Sequence, residues 1–385
     1  MKNRIKYISY FDTQDSEVKR NYVTSAANKM LSVCDALNDL GYDVDIVSMS
    51  EVTDSTFKFH RGVEKKLNEN TRLRLFSSWG GNGILSRKLK FLWHLIQMFT
   101  YLVLNCRKGE NILVYHSLGF FNIILWAKKI RHFNIILEVE EIYQDVAKPK
   151  YVSMAKNEYK MFANADAYVF PTALLEKKLN AKSLPSVIIH GTYKVEPQIE
   201  DKFDDGKIHV VYAGTFDPRK GGAAAAAAAA AFLPANYHIH ICGFGNDIDV
   251  QTIQRIIVDT AAKSKACVTY DGLKLGYDYI KFIQKCHIGL STQDPEAAFN
   301  ATSFPSKILS YMSNGLSVVS IDIPAVTTSA IGKYLNYYHE QSPQKIAEAI
   351  LATPSTNNNR EIISDLNKKF KSEFSALLDC VGNTD

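Results

Sequence analysis

Four short segments place residues that could do chemistry directly after an apolar run with the composition of a buried strand. The first spans residues 213–222 and has the sequence Ala-Gly-Thr-Phe-Asp-Pro-Arg-Lys-Gly-Gly. Arg219 and Lys220 would lie near the start of the helix predicted to follow, where unpaired N–H groups already favour phosphate. With Gly214 and Thr215 at the strand end, the segment indicates a phosphate site. A turn with two surface cations is the alternative.

The second segment is a Gly-x-Gly sequence, Gly243, Phe244 and Gly245, which again follows a predicted strand. Because glycine has no side chain, such a pair lets the backbone approach a ligand closely. A plain turn uses the same residues, so this segment indicates a binding site only together with the other three.

The third segment, residues 300–315, is a loop rich in hydroxyl groups that leads into a helix. Pro305 restricts Phe304 to extended backbone, so Ser306 is predicted to cap the helix, and Lys307 adds a charge near its start. We interpret the loop as a diphosphate cradle, with an ordinary N-capped helix as the alternative. The polar side chains that would contact the donor are those of Thr302, Ser303, Ser306, Lys307 and Ser310.

The fourth segment, residues 137–143, carries three glutamates at the end of a predicted buried strand. Carboxylates in that position, here Glu140 and Glu141, are candidates for catalysis or for binding sugar hydroxyl groups. Solvated surface charge is the alternative. His116 and His190 also end predicted strands, and each could line a binding site or serve as a hydrogen-bonded structural histidine.

Strands and helices alternate through both halves of the chain, which predicts an α/β protein with a parallel, doubly wound sheet in each half. The first half has predicted strands at 6–10, 44–48, 111–116, 135–139, 167–170 and 187–190, and helices at 24–40, 91–104, 119–130, 152–162 and 173–179. The second half has strands at 208–213, 238–242, 267–270, 288–291 and 318–321, and helices at 222–232, 249–262, 277–284, 307–313 and 343–351.

Composition sets the size and class of the protein. At 385 residues and 46% hydrophobic content, the chain suits two domains of about 150–200 residues. An acidic linker over 194–207 separates predicted domains at 1–193 and 194–359, and a helix at 360–378 could pack back onto the first. The net charge of +5 is small, and no Arg/Lys-rich helix is interleaved with aromatic residues, which argues against nucleic acid as the ligand.

The six cysteines form no C-x-x-C pair, which indicates buried thiols in a reducing cytoplasm and no metal-ligand cluster at the usual spacings. We predict no signal peptide, since the N-terminus runs directly into an apolar strand. The apolar stretch 91–104 is about 14 residues long, short of the roughly 20 that span a bilayer. Arg87, Lys88 and Lys90 precede it, which favours contact with anionic lipid; packing on the first sheet is the alternative.

Together these segments resemble the retaining family 4 glycosyltransferases of the GT-B fold, above all bacterial enzymes of capsular and surface polysaccharide synthesis. Residues 214–221 resemble the family's G-R-L-x-P-x-K-G loop, whose Arg and Lys hold the donor pyrophosphate. Lys220 matches that Lys, whereas Thr215 stands where the Arg usually is and Arg219 could compensate.

Residues 304–315 resemble the P-S-K-x-x-E-Y-M-x-x-G variant of the family's E-x7-E helix. The matching residues are Pro305, Ser306, Lys307, Tyr311, Met312 and Gly315. Ser310 and Thr302 stand at the two glutamate positions, one of which binds the donor ribose in the family.

Residues 21–29 resemble the loop after the first strand that closes on donor phosphate and acceptor, which would bring in Ser25, Asn28 and Lys29. At the strand end where the family often carries a His-Asp pair, this chain has Glu140 and Glu141.

The resemblance implies two Rossmann-like domains facing across a cleft. The first would bind a glycan or polyprenyl-diphosphate-linked acceptor and the second a nucleotide sugar such as a UDP- or GDP-sugar. Lys220, Arg219 and Glu140 would be catalytic, with no cofactor, no metal and no nucleic acid. We expect a cytoplasmic enzyme with peripheral contact to the inner face of the plasma membrane.

Two other functions stay open. A UDP-sugar epimerase of GT-B type would need an acid/base set and water as a reactant. A non-catalytic sugar-nucleotide-binding subunit would fit the departures at Ser310 and Thr302.

Overall fold

A computed structural model of the chain describes residues 3–13, 16–146, 158–217, 222–354 and 357–382. Arg219, Lys220 and most of the helix predicted at 152–162 lie outside these ranges. The chain folds into two compact units, one of residues 1–189 with 369–385 and the other of residues 190–368. The long C-terminal helix therefore contributes its residues from 369 onward to unit 1.

Unit 1 contains an eight-stranded sheet with the order β10-β9-β8-β7-β1-β2-β5-β4. Unit 1 also has a separate two-stranded antiparallel sheet, formed by β3 and β6. The strands of both sheets are β1 Arg4–Ser9, β2 Asp43–Ser48, β3 Phe59–His60, β4 Val63–Lys66, β5 Thr71–Leu75, β6 Ser78–Trp79, β7 Asn111–Tyr115, β8 Asn134–Glu138, β9 Ala167–Phe170 and β10 Ser186–Ile188. In the eight-stranded sheet, neighbouring strands are parallel except β4 and β5, which run antiparallel.

The helices of unit 1 are α1 Thr24–Asp39, α2 Ile84–Asn105, α3 Phe121–Arg131, α4 Tyr143–Val146, α5 Glu158–Phe162 and α6 Ala173–Leu179. The central strands are buried on both faces; in β8, for example, Ile135, Ile136 and Leu137 are all fully buried. Such strands consist of nearly continuous apolar residues, which is why the sequence predicted them.

Unit 2 contains a six-stranded, all-parallel sheet with the order β13-β12-β11-β14-β15-β16. Its strands are β11 Ile208–Thr215, β12 Tyr237–Phe244, β13 Cys267–Gly272, β14 Ile288–Ser291, β15 Ser317–Ile321 and β16 Asn336–Tyr338. Counted from β11, the order is 3-2-1-4-5-6, the strand order of a dinucleotide-binding Rossmann sheet.

The helices of unit 2 are α7 Ala223–Ala228, α8 Asp247–Ala261, α9 Gly276–Lys285, α10 Lys307–Ser313, α11 Pro324–Thr327 and α12 Pro343–Ala352, followed by α13 Asn359–Gly382. Short 3₁₀ helices occupy Ala229–Phe232, Ala298–Ala301 and Gly332–Tyr334. Each unit is thus a doubly wound α/β layer structure, as the alternating pattern predicted.

Candidate functional site

In each unit the strand order reverses at one point, and in open α/β sheets ligands bind beyond the carboxyl ends of the strands at such a point. In unit 1 the reversal lies between β1 and β7, and in unit 2 between β11 and β14. The described residues that the sequence analysis singled out lie at the carboxyl ends of strands in the two sheets, in the loops after them or on the helices that follow.

Two glycines let the ends of β11 and β12 run side by side in unit 2. Gly214 pairs with Gly243, which has a φ of 154°. A Cβ at Gly243 would overlap the Gly214 carbonyl group, so a larger residue would push the strand ends apart. The pairing continues in a hydrogen bond of 2.7 Å from the Phe216 N–H to the Phe244 carbonyl oxygen. The Gly-x-Gly segment is therefore a close backbone contact, and it leaves the Phe244 side chain exposed.

A third glycine fixes helix α10 against the sheet. A Cβ at Gly289 on β14 would overlap the Tyr311 ring, so only glycine allows this approach. The Tyr311 hydroxyl oxygen in turn accepts a 2.8 Å hydrogen bond from the Ala213 N–H. β14 pairs with β11 only at Val210 and Val211. The Tyr311 hydroxyl group therefore bonds a backbone N–H of β11 that β14 does not reach.

That placement brings Lys307, the first residue of α10, to the end of β11. Its Nζ lies 4.1 Å from the centre of the Tyr212 ring, and a Cβ at Gly214 would be 3.1 Å from the same atom. Burial lowers the pKa of this ammonium group to about 7, and no described carboxylate offsets that shift. A bound phosphate would supply the missing negative charge.

Two buried polar groups lie in the loop that follows β14. The Ser291 hydroxyl group donates to Gln293 Oε1 at 2.8 Å. The amide nitrogen of Gln293 is the other polar end of this side chain. Within the described ranges, Gln293 Nε2 and Ser303 Oγ are buried without a hydrogen-bond partner. Buried groups of this kind normally have one, and at a switch point a ligand is the natural candidate.

The remaining residues of the predicted donor site have the following environments. Ser306 stands at the N-cap position of α10, but its side chain makes no capping hydrogen bond because its own backbone is already helical, so the predicted cap is wrong. Ser310 shares a 2.9 Å hydrogen bond with the Tyr279 hydroxyl group, and Thr302 is buried. Thr215 accepts through its carbonyl oxygen from the Tyr212 hydroxyl group at 2.8 Å.

In unit 1 a carboxylate and lysine cluster lies beside the switch point. Lys29, buried on the inner face of α1, forms an ion pair with Glu140, and its Nζ lies 3.6 Å from one carboxyl oxygen of Glu138. Tyr7 donates its hydroxyl hydrogen to the other oxygen of Glu138. Burial, followed by the charge of Glu140, raises the pKa of Glu138 well above its usual range.

Glu138 is the first of the three glutamates noted at this strand end, although only Glu140 and Glu141 were assigned roles in the predicted site. Glu138 is the last residue of a strand that is buried on both faces, and its carboxyl group is fully buried. A glutamate at such a position is the feature of the sequence that marks it. Glu141 is half-buried, whereas Ser25 and Asn28 are exposed on α1. Of the three residues predicted in that first loop, the structure brings only Lys29 to the glutamates.

His116 follows β7 and is held by its surroundings. Its Nε2 lies 3.2 Å from a Glu158 carboxylate oxygen, and its ring stacks on Tyr143 with centres 4.5 Å apart. Burial tends to raise the pKa of Glu158, but the contact with His116 and hydrogen bonds from the Tyr143 and Gln144 amides lower it overall. The imidazole is thus oriented by a carboxylate, an arrangement common in acid/base sites.

His190 lies in unit 2 and has a structural environment. Its Nε2 accepts a 3.3 Å hydrogen bond from the Ala330 N–H, and its ring stacks on Phe304 with centres 4.8 Å apart. These contacts fit the structural alternative for this histidine.

Comparison with known proteins defines the fold. No protein-family model and no curated protein matches the sequence. Solved structures do match along the whole chain. An α,α-trehalose 6-phosphate synthase from Burkholderia multivorans has a TM-score of 0.64 at 11% identity, covering 99% of this chain and 97% of its own.

Two further solved structures also match along the whole chain. An Escherichia coli structure described as "Trehalose-6-phosphate from E. coli bound with UDP-2-fluoro glucose" has a TM-score of 0.65 at 10% identity, with both chains fully covered. AviGT4, a glycosyltransferase involved in avilamycin A biosynthesis, has a TM-score of 0.57 at 11% identity, covering 99% of each chain. At these identities the likeness establishes the fold alone: the chain has the GT-B fold, and its two Rossmann-like units are those predicted from the sequence.

Proposed function

We propose that this chain is a glycosyltransferase that moves a sugar from a nucleotide-diphosphate donor to a glycan or lipid-linked glycan. The observation that carries the proposal is Lys307, a cation without a described acidic partner at the switch point of unit 2. Gln293 Nε2 and Ser303 Oγ add buried donors without described partners in the adjoining loop. A diphosphate satisfies both requirements, since it brings negative charge and many acceptor oxygens.

Transfer breaks the bond between the anomeric carbon and the donor phosphate, so negative charge grows on the leaving diphosphate. In our mechanism Lys307 stabilises that charge, together with Arg219 and Lys220 beyond the described residues. Charge stabilisation by fixed cations does the work of a divalent ion, so the reaction is metal-independent. The resemblance to family 4 enzymes supports retention of configuration, with the acceptor attacking from the side of the leaving group.

The acceptor is assigned to unit 1. Glu140, paired with Lys29, is a charged group suited to bind acceptor hydroxyl groups, while Glu138 is a buried carboxyl group whose raised pKa favours its neutral form. A neutral carboxyl group can donate a hydrogen bond and a carboxylate can accept one. A sugar hydroxyl group both donates and accepts, so such a pair suits its recognition. His116, oriented by Glu158, is a third polar group at this switch point.

Two neighbours suggest which substrates to try first. One E. coli structure is described as bound with UDP-2-fluoro glucose, and a UDP-forming trehalose-phosphate synthase from Burkholderia xenovorans is in complex with glucose-6-phosphate. A UDP-sugar is therefore the first donor to test. A glycan on polyprenyl diphosphate, as in surface polysaccharide synthesis, is the acceptor that we propose, and a sugar phosphate is the acceptor to compare.

Helix α2 supports contact of this enzyme with a membrane. Its exposed side carries Leu85, Leu89, Leu92 and Ile96, each between 49% and 70% exposed, at spacings of four, three and four residues. These spacings put the four side chains on one face, as in helices that lie in a membrane interface. Within the described residues, no helix is long and apolar enough to cross a membrane.

The decisive experiment screens nucleotide sugars against the purified full chain by thermal unfolding and then measures turnover. A ligand at about 100 times its Kd adds about 2.7 kcal/mol to the free energy of unfolding, which is readily seen. We expect a UDP- or GDP-sugar to stabilise the protein and to be consumed only with an acceptor. Consumption of a UDP-sugar without acceptor, yielding its epimer, would favour the epimerase. Stabilisation without turnover on either acceptor would favour the non-catalytic subunit.

A matched pair of glycine variants ties the effect to the site. Gly214→Ala places a Cβ 3.1 Å from Lys307 Nζ and should displace that ammonium group, weakening donor stabilisation. Gly83→Ala adds the same atom where nothing lies within 4 Å and should behave as wild type.

A further inference from the structure

Three histidines gather at the amino ends of the strands in unit 2, at the other edge of the sheet from the proposed donor site. His209 lies on β11, and His238 and His240 lie on β12. The parallel pairing sets His209 opposite His238, so both side chains project from the same face, and His240 follows two residues later on that face. We call these three residues the histidine cluster.

Each imidazole of the cluster has a polar partner on its outer side. His209 Nε2 lies 2.8 Å from a carboxylate oxygen of Asp205, and His240 Nδ1 lies 3.1 Å from one of Asp271. His238 Nε2 lies 3.0 Å from the Thr269 hydroxyl group, which itself donates to Asp271 at 2.8 Å. Ionised carboxylates only accept hydrogen bonds, so His209 and His240 must be the donors in these contacts.

The inner nitrogens of two histidines are consequently left with lone pairs that face each other. His209 Nδ1 and His240 Nε2 are 2.8 Å apart, and a nitrogen of His238 lies within 4.8 Å of both. Two lone pairs at that distance repel unless a cation lies between them. Phe203 stacks on His209 with ring centres 4.2 Å apart and so holds the rings in this arrangement.

We propose that the histidine cluster binds one divalent first-row transition-metal ion such as Zn²⁺. Imidazole nitrogen suits zinc, cobalt, nickel and copper, whereas magnesium and calcium require oxygen ligands. Zinc–nitrogen bonds of about 2.0–2.1 Å need inner nitrogens roughly 3.4 Å apart, so His209 and His240 must separate slightly. His238, whose ring stacks on His240 with centres 3.9 Å apart, must turn its inner nitrogen toward the ion. Asp205 and Asp271 act as the carboxylates that orient metal-bound histidines by accepting their outer N–H groups.

The site is open to solvent on one side and serves the fold. His209 and His240 are buried, but His238 is only partly buried, which provides an entry path and leaves room for water as a fourth ligand. The ion would join β11, β12 and the segment around Asp205, which precedes β11. We therefore assign it a structural role at this edge of the unit 2 sheet, independent of glycosyl transfer.

The test uses the full chain without a polyhistidine tag, in a Cys380→Ser background that removes an exposed thiol. Apo-protein is titrated with Co²⁺, whose visible absorption is intense only in tetrahedral sites, and Zn²⁺ is then added to displace it. We expect one ion per chain, displaced by one equivalent of Zn²⁺. His238→Gln, at the partly buried position, should abolish the band, and Asp271→Asn should weaken binding by about 10–100-fold.

The matched control is His339→Gln, which removes an exposed histidine that also has an aspartate partner, Asp322, at 2.9 Å. This variant should bind cobalt as wild type does. Equilibrium dialysis with Zn²⁺ gives a second readout that does not depend on the optical band. The proposal is overturned if wild type holds no ion in dialysis, which would mean that a shared proton bridges His209 and His240, or if the His238 variant binds as tightly as wild type.

Discussion

We predict that the affinity for the donor depends on pH through the protonation of Lys307. The burial of this side chain determines whether the affinity rises or falls with pH. Burial lowers the pKa of its ammonium group to about 7, so at pH 8 most free molecules carry it uncharged. A diphosphate favours the charged form, and the phosphates of a nucleotide sugar are both esterified and do not titrate in this range. Binding above pH 7 must therefore take up a proton at Lys307.

We expect the association constant of the donor to fall as pH rises from 7 to 9, approaching about tenfold per pH unit. Calorimetry at pH 8 in two buffers of different ionisation enthalpy measures the proton taken up. Lys307→Met should remove both the proton uptake and the slope, whereas Lys263→Met, at an exposed position of the same unit, should keep them. A wild-type protein that binds its donor without proton uptake would contradict this role.

Lys220 provides the second test at the level of single residues. In the sequence it follows β11, whose end Lys307 reaches from α10, and it lies outside the described residues. Loss of a group that stabilises transition-state charge costs about 10²–10³-fold, so Lys220→Ala should lower kcat/KM by at least about 100-fold. Steady-state kinetics give the ratio, with an unchanged melting temperature as the control for folding. Near-wild-type turnover in a folded variant would remove this loop from the donor site.

Among the helices, α2 departs most from the sequence prediction, and its departure has a functional consequence. It begins at Ile84 and not at residue 91, and its buried stripe consists of Lys90, His94, Met98 and Leu102. Lys90 therefore does not flank the helix as a lipid-facing cation, as predicted; it is buried and donates to the Val52 carbonyl oxygen at 2.6 Å. Packing buries one stripe only and leaves an apolar stripe exposed.

We expect the full chain to float with anionic liposomes at low salt and less so at high salt, since Arg87 and Lys88 remain exposed beside the apolar stripe. A Leu89→Glu, Leu92→Glu double variant should lose flotation. Val258→Glu introduces a charge at a comparably exposed apolar position of α8 and should keep it. Flotation that survives in the double variant would place lipid contact elsewhere, and no flotation of wild type would exclude it.

How far the sequence predicts an element depends on how much of it is buried. The strands of both sheet centres were predicted because their residues are apolar on both faces. The edge strand β4, Val-Glu-Lys-Lys, has three exposed residues, and β3 and β6 have two residues each, so none of them has a periodic signal. The three-residue strand β16 was missed for the same reason.

The candidate sites show the same division between local and long-range information. Lys307 was predicted because proline, serine and lysine mark the start of a helix within one segment. Its lowered pKa was not, because that comes from burial in the folded chain, where Tyr212 and Gly214, distant in the sequence, lie against its ammonium group. Two members of the histidine cluster, His238 and His240, alternate within β12 and are visible in the local sequence. The third, His209, lies on β11 and joins them only through strand pairing.

At the scale of the whole molecule, two doubly wound units each present polar groups at the point where their strand order reverses. In unit 1 these are carboxyl groups with one lysine, and in unit 2 a lysine with neutral hydrogen-bond donors. Opposite charge preferences in the two units fit a reaction with a neutral, hydroxyl-bearing acceptor end and an anionic donor end. In the proposed function, the electrostatics of each switch point would separate the donor role from the acceptor role, since the fold itself is shared by many functions.

Removal of metal ions tests the two proposals for unit 2 separately. The proposed donor site stabilises the diphosphate with charged side chains, whereas the histidine cluster is proposed to bind a metal ion. Three of the four aspartates in the two Asp-x-Asp pairs have other partners: Asp43 and Asp45 pair with Arg4, and Asp249 hydrogen-bonds Asn246 at the start of α8. We therefore expect full turnover in EDTA together with a lower melting temperature that Zn²⁺ restores. Turnover that EDTA abolishes and Mg²⁺ or Mn²⁺ rescues would overturn the metal-independent mechanism. Because those two ions prefer oxygen ligands, such a rescue would leave the histidine cluster to be judged by its own cobalt titration.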